Sequence, residues 1–137
     1  MTQPEQEIRN AIWWLRASYV AGAIADCLTS VLMLIPGRMG ESEFRISMGL
    51  GASLMCGWTA LLVWACLKPL ERKGVLLLTI FPVICGLSAT NIWAAVAGQI
   101  SVQRLIPPAI VCMTLIILMG YSYWKATIVE QRAIREG

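Results

Sequence analysis

One acidic side chain, Asp26, falls inside a long apolar stretch of this sequence, where a carboxyl group is chemically conspicuous. An aspartate at the centre of a membrane helix costs about 2.5 to 3.5 kcal/mol on insertion scales, so such a residue needs a polar partner. When antiparallel helices are aligned by depth, the polar side chains at the same level are Ser53, Thr90, Asn91 and Thr114. The sequence therefore predicts a mid-membrane polar cluster that is centred on Asp26 and faces inward.

Two roles for Asp26 stay open. In the first, its carboxyl binds and releases a proton in exchange for a cationic substrate, and the ring of Trp58 lines the cavity. In the second, it only locks the bundle through a hydrogen bond to Asn91, a type of contact that contributes about 0.6 kcal/mol on average in membrane proteins. The predicted ligand-binding residues are Asp26, Asn91, Thr90, Trp58, Ser53 and Thr114.

These side chains need helices that cross a bilayer, and the composition favours such helices. Of the 137 residues, 58% are hydrophobic and 14% are charged, and the mean hydropathy is +0.68, which nearly excludes a soluble domain. Because a membrane-spanning helix takes about 20 apolar residues, the chain has room for four. We expect one all-α domain over residues 1–137, an integral membrane four-helix bundle with spans at about 11–35, 46–67, 75–98 and 105–125.

Prolines and glycines mark the ends of these spans. The first span is expected to stop at Pro36-Gly37. In the third span, Pro82 is expected to kink the helix and to free a carbonyl near Leu78. In the fourth span, Pro107 and its neighbour Pro108 suit a first helical turn, because the N–H groups they lack need no partner there.

Small residues at four-residue spacing form three stripes, and such stripes let membrane helices approach closely. The sequence predicts that they serve mainly as packing seams inside the bundle, with a dimer interface as the alternative. The stripes are Ser18, Gly22 and Asp26; Gly49, Ser53 and Gly57; and Gly86, Thr90, Ala94 and Gly98.

The residue types also narrow the chemistry. The chain has no histidine, so histidine-ligated metals and Ser-His triads are excluded, and no paired catalytic constellation stands in their place. Its five cysteines lie in apolar stretches without a C-x-x-C pair, which favours small buried packing residues over thiol chemistry. A net charge of +3 is too slight for nucleic acid. We expect a protein that is not an enzyme and has no cofactor.

Charge sets the expected orientation. In a four-span arrangement eight basic residues fall on one side, namely Arg9, Arg16, Lys68, Arg72, Lys73, Lys125, Arg132 and Arg135. Three fall on the other, namely Arg38, Arg45 and Arg104. By the positive-inside rule both termini are cytoplasmic, which places the protein in the cytoplasmic (inner) membrane of a prokaryote as a multi-pass protein. The aromatic residues expected at that interface are Trp13, Trp14, Trp64, Tyr121, Tyr123 and Trp124.

Two resemblances accompany this pattern. Tyr19, the run Gly-Ala-Ile-Ala-Asp at 22–26 and the Leu-Met pair at 32–33 resemble the first helix of the small multidrug resistance exporters, and residues 108–116 resemble their last helix. That resemblance implies a membrane carboxylate, here Asp26, that couples proton and cation exchange. Residues 51–59, 68–72 and 74–78 are similar to a group of short prokaryotic four-helix membrane proteins of uncharacterised function.

The expected partners follow from this architecture. The lipid bilayer surrounds the bundle, and a small cationic or lipophilic ligand binds at the polar cluster. A homodimer is one expected assembly, because four short helices enclose little volume. The alternative function is an accessory or scaffold subunit of a larger membrane complex, in which Asp26 is purely structural.

Overall fold

The structure, a computed structural model, describes residues 3–35 and 45–136. Helix α1 spans Gln3–Leu34, α2 spans Arg45–Leu67 and α5 spans Val102–Glu136. Between α2 and α5 a third long helix consists of α3 (Gly74–Leu78), a π-helical segment (Thr79–Ile84) and α4 (Cys85–Val96), which follow one another without a break. All four long helices have the length and apolar composition to cross a membrane, so the predicted all-α bundle of four such helices is confirmed.

Helices α1 and α5 extend beyond the predicted spans. Helix α5 has 35 residues and is about 52 Å long at 1.5 Å per residue, well beyond the ~30 Å hydrocarbon core. Its last turns lie beside the first turns of α1, where Arg132 is paired with Glu7 at 3.1 Å. We call this the terminal end of the bundle, and the opposite end the far end. The predicted stop at Pro36-Gly37 and the loop after it lie outside the described residues.

The prolines of the third and fourth helices are accommodated differently from the prediction. Around Pro82 the helix widens into the π-helical segment, and the N–H of Cys85 bonds to the carbonyl oxygen of Ile80, five residues back. A π-type turn absorbs the hydrogen bond that proline cannot make without breaking the helix. Helix α5 already begins at Val102, so Pro107 and Pro108 lie past its first turn rather than within it.

Polar contacts and an apolar core close the terminal end. The Tyr19 hydroxyl donates to the carbonyl oxygen of Arg72 at 2.9 Å, which ties α1 to the turn after α2. Lys73, in the same turn, forms an ion pair with Glu130 of α5. The larger fully buried side chains beneath these contacts come from all four helices: Leu15, Tyr19, Leu62, Leu76 and Met119.

The far half of the bundle is more open. Helix α2 packs against α1, α1 packs against α5, and α5 packs against each segment of the third helix, while α2 and α4 share at most a marginal contact. Helix α4 accordingly has no buried residue. The described part of the chain therefore leaves α2 and α4 apart in the far half of the bundle.

Of the three small-residue stripes, the one on α1 lies inside the bundle. Ser18, Gly22 and Asp26 are all buried. By contrast, a Cβ atom added at Gly49, Gly57 or Gly86 would meet no described heavy atom within 4 Å. The prediction that the stripes on α2 and α4 form internal seams is therefore wrong for the single chain. Spacing identifies residues that share a face, but it does not determine which face meets a neighbouring helix.

The cysteines also differ from the prediction. Cys66 and Cys112 are half-buried and pack against the core cluster, whereas Cys27, Cys56 and Cys85 are exposed, so the prediction of buried packing residues is wrong for these three. The three exposed cysteines lie near apolar side chains that are themselves exposed, among them Leu28, Leu54 and Phe81. In a membrane helix an apolar neighbourhood marks the lipid side as readily as the core.

The close approach at Gly22 gives a testable prediction. A Cβ atom at this position would lie 2.6 Å from Met119 Cε and 3.2 Å from Leu62 Cδ1. We expect Gly22→Leu to overpack the junction of α1, α2 and α5 and to destabilise the protein by about 1 to 3 kcal/mol. The measurement is thermal unfolding of the purified protein in detergent.

Gly57→Leu is the matched control, because the same substitution there enters open space and makes the same change in helix propensity. Its melting temperature should stay close to that of the wild type. Equal melting temperatures for the two variants would contradict the described packing of α1.

Candidate functional site

A row of small and polar residues runs along the buried face of α1. Ser18, Gly22, Asp26 and Ser30 follow one another at four-residue spacing, which places them on one side of the helix. All four are buried, and Asp26 is 8% exposed. The sequence folds in this way because glycine and serine let α2 and α5 approach α1 closely on this face.

The two serines of the row have hydrogen-bond partners on the adjoining helices. Ser18 Oγ lies 2.6 Å from Ser122 Oγ on α5, and Ser122 is also within hydrogen-bonding distance of the carbonyl oxygen of Trp14. Ser30 Oγ donates to the carbonyl oxygen of Ala52 on α2 at 3.0 Å. These contacts satisfy the polar atoms of the row on either side of Asp26, as a bilayer interior requires.

Asp26 is the exception in this row. Its Oδ2 atom is fully buried and has no hydrogen-bond partner among the described residues. The predicted hydrogen bond from Asn91, which lies on α4, is absent. A buried carboxylate oxygen without a donor is energetically costly, and such groups concentrate at functional positions in membrane proteins.

The depth of Asp26 follows from the contacts of its row. Gly22 lies against Leu62 of α2 and Met119 of α5. Because α1 runs antiparallel to both of these helices, a step of four residues along α1 corresponds to four residues back along each of them. Asp26 is therefore level with Trp58 on α2 and with Leu115 on α5.

Trp58 connects α2 to the third helix at this level. Its Nε1–H donates to Thr79 Oγ1 at 3.2 Å, and the Thr79 hydroxyl donates in turn to the carbonyl oxygen of Val75 at 2.8 Å. Trp58 is half-buried and packs against the core cluster, so its indole N–H is occupied while its ring lies level with Asp26. Thr79 is a further candidate site residue, which was not predicted from the sequence. Its position three residues before Pro82, at the start of the π-helical segment, was the available signal.

The other predicted residues do not join this group in the single chain. Ser53, Thr90 and Thr114 are exposed, and Asn91 is half-buried. The Thr90 and Thr114 hydroxyls donate to carbonyl oxygens of their own helices, Leu87 at 2.9 Å and Ile110 at 2.8 Å. A threonine whose hydroxyl is satisfied in this way can face lipid without a second helix. The expected inward-facing cluster of five is therefore not formed, and a ligand-binding role for these residues stays a prediction.

Two apolar grooves flank the stretch of α1 around Asp26. One lies between α1 and α2, has a volume of about 370 Å³ and is lined by Ala23, Cys27 and Val63 among others. The second lies between α1 and α5, has a volume of about 440 Å³ and includes Ala25 and Leu115. Asp26 itself lines neither groove, so its side chain faces the interior between them.

The described residues include no group of three or more Cys, Asp and Glu side chains placed to hold a metal ion.

Comparison of the chain with known protein families, curated proteins and solved structures finds no match. No family is therefore identified for the chain, and the resemblance to the small multidrug resistance exporters rests on its two helices alone. The site must be interpreted from its own chemistry.

The Trp58–Thr79 hydrogen bond gives a second prediction. We expect a double-mutant cycle of Trp58→Phe and Thr79→Val to show a coupling of about 0.6 kcal/mol, and no more than about 1.7 kcal/mol, the range of such bonds between membrane helices. The measurement is the free energy of unfolding of the four proteins in mixed micelles. Trp58→Phe paired with Thr114→Val is the control cycle, and it should show no coupling. Equal coupling in both cycles would refute the bridge.

Proposed function

We propose that the chain is a small non-enzymatic membrane protein that binds a small cationic or lipophilic ligand at Asp26, and that exchanges this ligand for a proton. The observation that carries the proposal is the buried Oδ2 atom of Asp26, which has no donor although the serines on both sides of it in the row are paired. A carboxylate in this setting gains most from a partner that brings its own positive charge.

The surroundings of Asp26 favour an organic cation over a hydrated ion. Ala23 and Val63 line the groove between α1 and α2, whose walls are almost wholly apolar. The ring of Trp58 lies level with the carboxyl, and an indole face attracts a cation by about 2 kcal/mol or more when both are desolvated. Hydrocarbon walls, one acidic group and one aromatic ring match a cation that carries apolar substituents.

The proposed orientation follows from the basic residues. The terminal end carries Lys68, Arg72 and Lys73 in one turn, and the basic residues near both termini lie at the same end. The positive-inside rule then places both termini in the cytoplasm. The prokaryotic cytoplasmic membrane is the proposed location.

Asp26→Asn tests the proposal, with tetraphenylphosphonium as the probe. The wild-type protein should bind this cation, and the affinity should fall as the pH is lowered through the titration of the carboxyl, because a proton and the cation compete for one group. The variant should bind about tenfold more weakly, a loss of about 1.4 kcal/mol, and without this dependence on pH. Equilibrium dialysis of the protein in detergent, combined with thermal melting, measures binding and folding together.

Glu71→Gln is the control, because it removes an exposed carboxylate that is paired with Lys68 in the turn after α2. Binding of the cation should be unchanged in this variant. If Asp26→Asn alters the melting temperature while binding and its pH dependence remain as in the wild type, Asp26 is a structural residue and the proposal is wrong.

A second candidate function, an accessory subunit of a larger membrane complex, is favoured by the exposed face of α4. This helix has no buried residue, and a Cβ atom at Gly86 would enter open space. If a different chain packs there, Gly86→Leu should leave the melting of the isolated chain unchanged and should abolish copurification of a stoichiometric partner. Recovery of the wild-type chain as a stable homo-oligomer without other chains would contradict this function.

A further inference from the structure

A third groove lies at the terminal end, where the first turns of α1 meet the last turns of α5. Its volume is about 320 Å³, and its walls include Asn10 of α1 together with Trp124, Lys125 and Ile128 of α5. Glu7 and Arg132, which also line it, form an ion pair across its outer part at 3.1 Å. We call it the terminal groove.

The terminal groove carries a net positive charge. Glu7 offsets Arg132, but no carboxylate among the described residues lies within ion-pair distance of Lys125. The Lys125 Nζ atom is instead positioned over two rings, 5.8 Å from the centroid of Trp14 and 5.7 Å from that of Tyr121. The groove therefore presents an ammonium group that takes part in none of the ion pairs among the described residues.

Other basic side chains at this end are already engaged. Lys68 is paired with Glu71 at 3.1 Å, and Lys73 is paired with Glu130. The Arg72 guanidinium lies 3.4 Å from the ring centroid of Trp64 and donates to the carbonyl oxygen of that residue. Of these four basic residues, only Lys125 lines the terminal groove, and Lys125 takes part in none of the described ion pairs.

The aromatic side chains place this ammonium group at the depth of lipid headgroups. Trp14 and Tyr121 contact each other with ring centroids 5.3 Å apart, and Trp124 follows on the next turn of α5. Tryptophan and tyrosine concentrate where the hydrocarbon meets the headgroups. Lys125 thus lies at the level of lipid phosphates.

A second, apolar groove lies further along the same side of α1 and α5, and it offers an apolar surface for an acyl chain. On α1, Ala21, Ala25 and Leu28 of the 440 Å³ groove lie on the same face as Asn10 and Trp14, because these residues follow one another at steps of three, four or seven. On α5, Lys125 lies eleven positions after Thr114 of that groove, about 17 Å along the helix at 1.5 Å per residue. One leaflet of the hydrocarbon core is about 15 Å thick, so an acyl chain spans this distance.

We infer that one anionic phospholipid binds along this α1–α5 seam, with its phosphate beside Lys125 and one acyl chain in the groove between Ala21 and Thr114. The occupant is a lipid of the membrane itself and not the ligand of Asp26, which faces the interior of the bundle. The inference rests on the charge of the terminal groove and on the position of the apolar groove on the same side of α1 and α5, and it holds whether or not Asp26 binds a cation.

Native mass spectrometry of the full chain tests the inference. The detergent-purified protein is given equal amounts of phosphatidylglycerol and phosphatidylethanolamine with identical acyl chains, and the ratio of the two retained lipids is measured. The wild type should favour phosphatidylglycerol. Lys125→Gln should lower the ratio about fivefold, which corresponds to ~1 kcal/mol for one basic side chain near a lipid phosphate. Lys68→Gln, which removes a lysine of the same end outside the groove, should leave it unchanged.

Glu7→Gln should change the lipid ratio in the opposite direction. It removes the carboxylate of the terminal groove and frees Arg132, so the preference for phosphatidylglycerol should rise. A rise in the ratio cannot result from misfolding, which would only weaken lipid binding. A phosphatidylglycerol with six-carbon chains should be retained less than the long-chain lipid, because it cannot fill the apolar groove. An unchanged ratio in Lys125→Gln, an equal fall in Lys68→Gln, or equal retention of the short lipid would overturn the inference.

Discussion

The structure depends on one constraint, that hydrocarbon offers no hydrogen bonds, so every polar group on a buried helix face must find its partner within the bundle. Helix α1 shows how the chain meets this constraint. Ser18 turns to α5 and Ser30 turns to α2, and the glycine between them lets both helices approach. Ser18 and Ser30 show that the fold can supply hydrogen-bond partners on this face. The absence of a donor for Asp26 Oδ2 therefore sets this residue apart from its neighbours.

The bundle is also asymmetric along its axis. At the terminal end, ion pairs, the Tyr19 hydroxyl and cation–aromatic contacts hold the four helices together, whereas in the far half α2 and α4 stand apart. The Trp58–Thr79 hydrogen bond lies near the boundary between these halves, at the start of the π-helical segment. Short π-helical interruptions of an α-helix are frequent at functional positions. Asp26 lies at the same level.

The four-helix architecture could be predicted from the sequence because it depends on properties that are averaged over long segments. Length, hydropathy and helix-breaking residues are averaged over some 20 positions, so four apolar helices emerge even though α1 begins earlier and α5 ends later than predicted. The burial of Asp26 was equally accessible, since a lone carboxyl in an apolar stretch is expected to avoid lipid. The residues around Asp26 could not be predicted in this way. Depth in the membrane suggested Ser53, Thr90 and Thr114, but depth does not determine the rotation of a helix about its axis.

Helix rotation also explains the misassigned stripes and cysteines. Gly57 and Gly86 have the spacing of a packing seam, yet they face away from the other helices of the chain. In a soluble protein a polar face would have fixed the rotation of each helix, but here lipid and core are both apolar. Where a polar row existed, on α1, the predicted face was correct. The sequence predicts a kink at Pro82, whereas the structure has a π-helical segment there. Thr79 lies at the start of that segment and accepts a hydrogen bond from Trp58, a contact that the predicted kink does not indicate.

The central claim is that Asp26 is an unpaired carboxyl in the apolar interior of the bundle and available to a cation. Carbodiimides, which convert a carboxylic acid to a stable N-acylurea, measure this directly when the modified residue is identified by peptide mass spectrometry. We predict that lipid-soluble dicyclohexylcarbodiimide modifies Asp26 in membranes, that tetraphenylphosphonium protects it, and that a water-soluble carbodiimide leaves it untouched. Modification of Asp26 by the water-soluble reagent, or no protection by the cation, would contradict the claim.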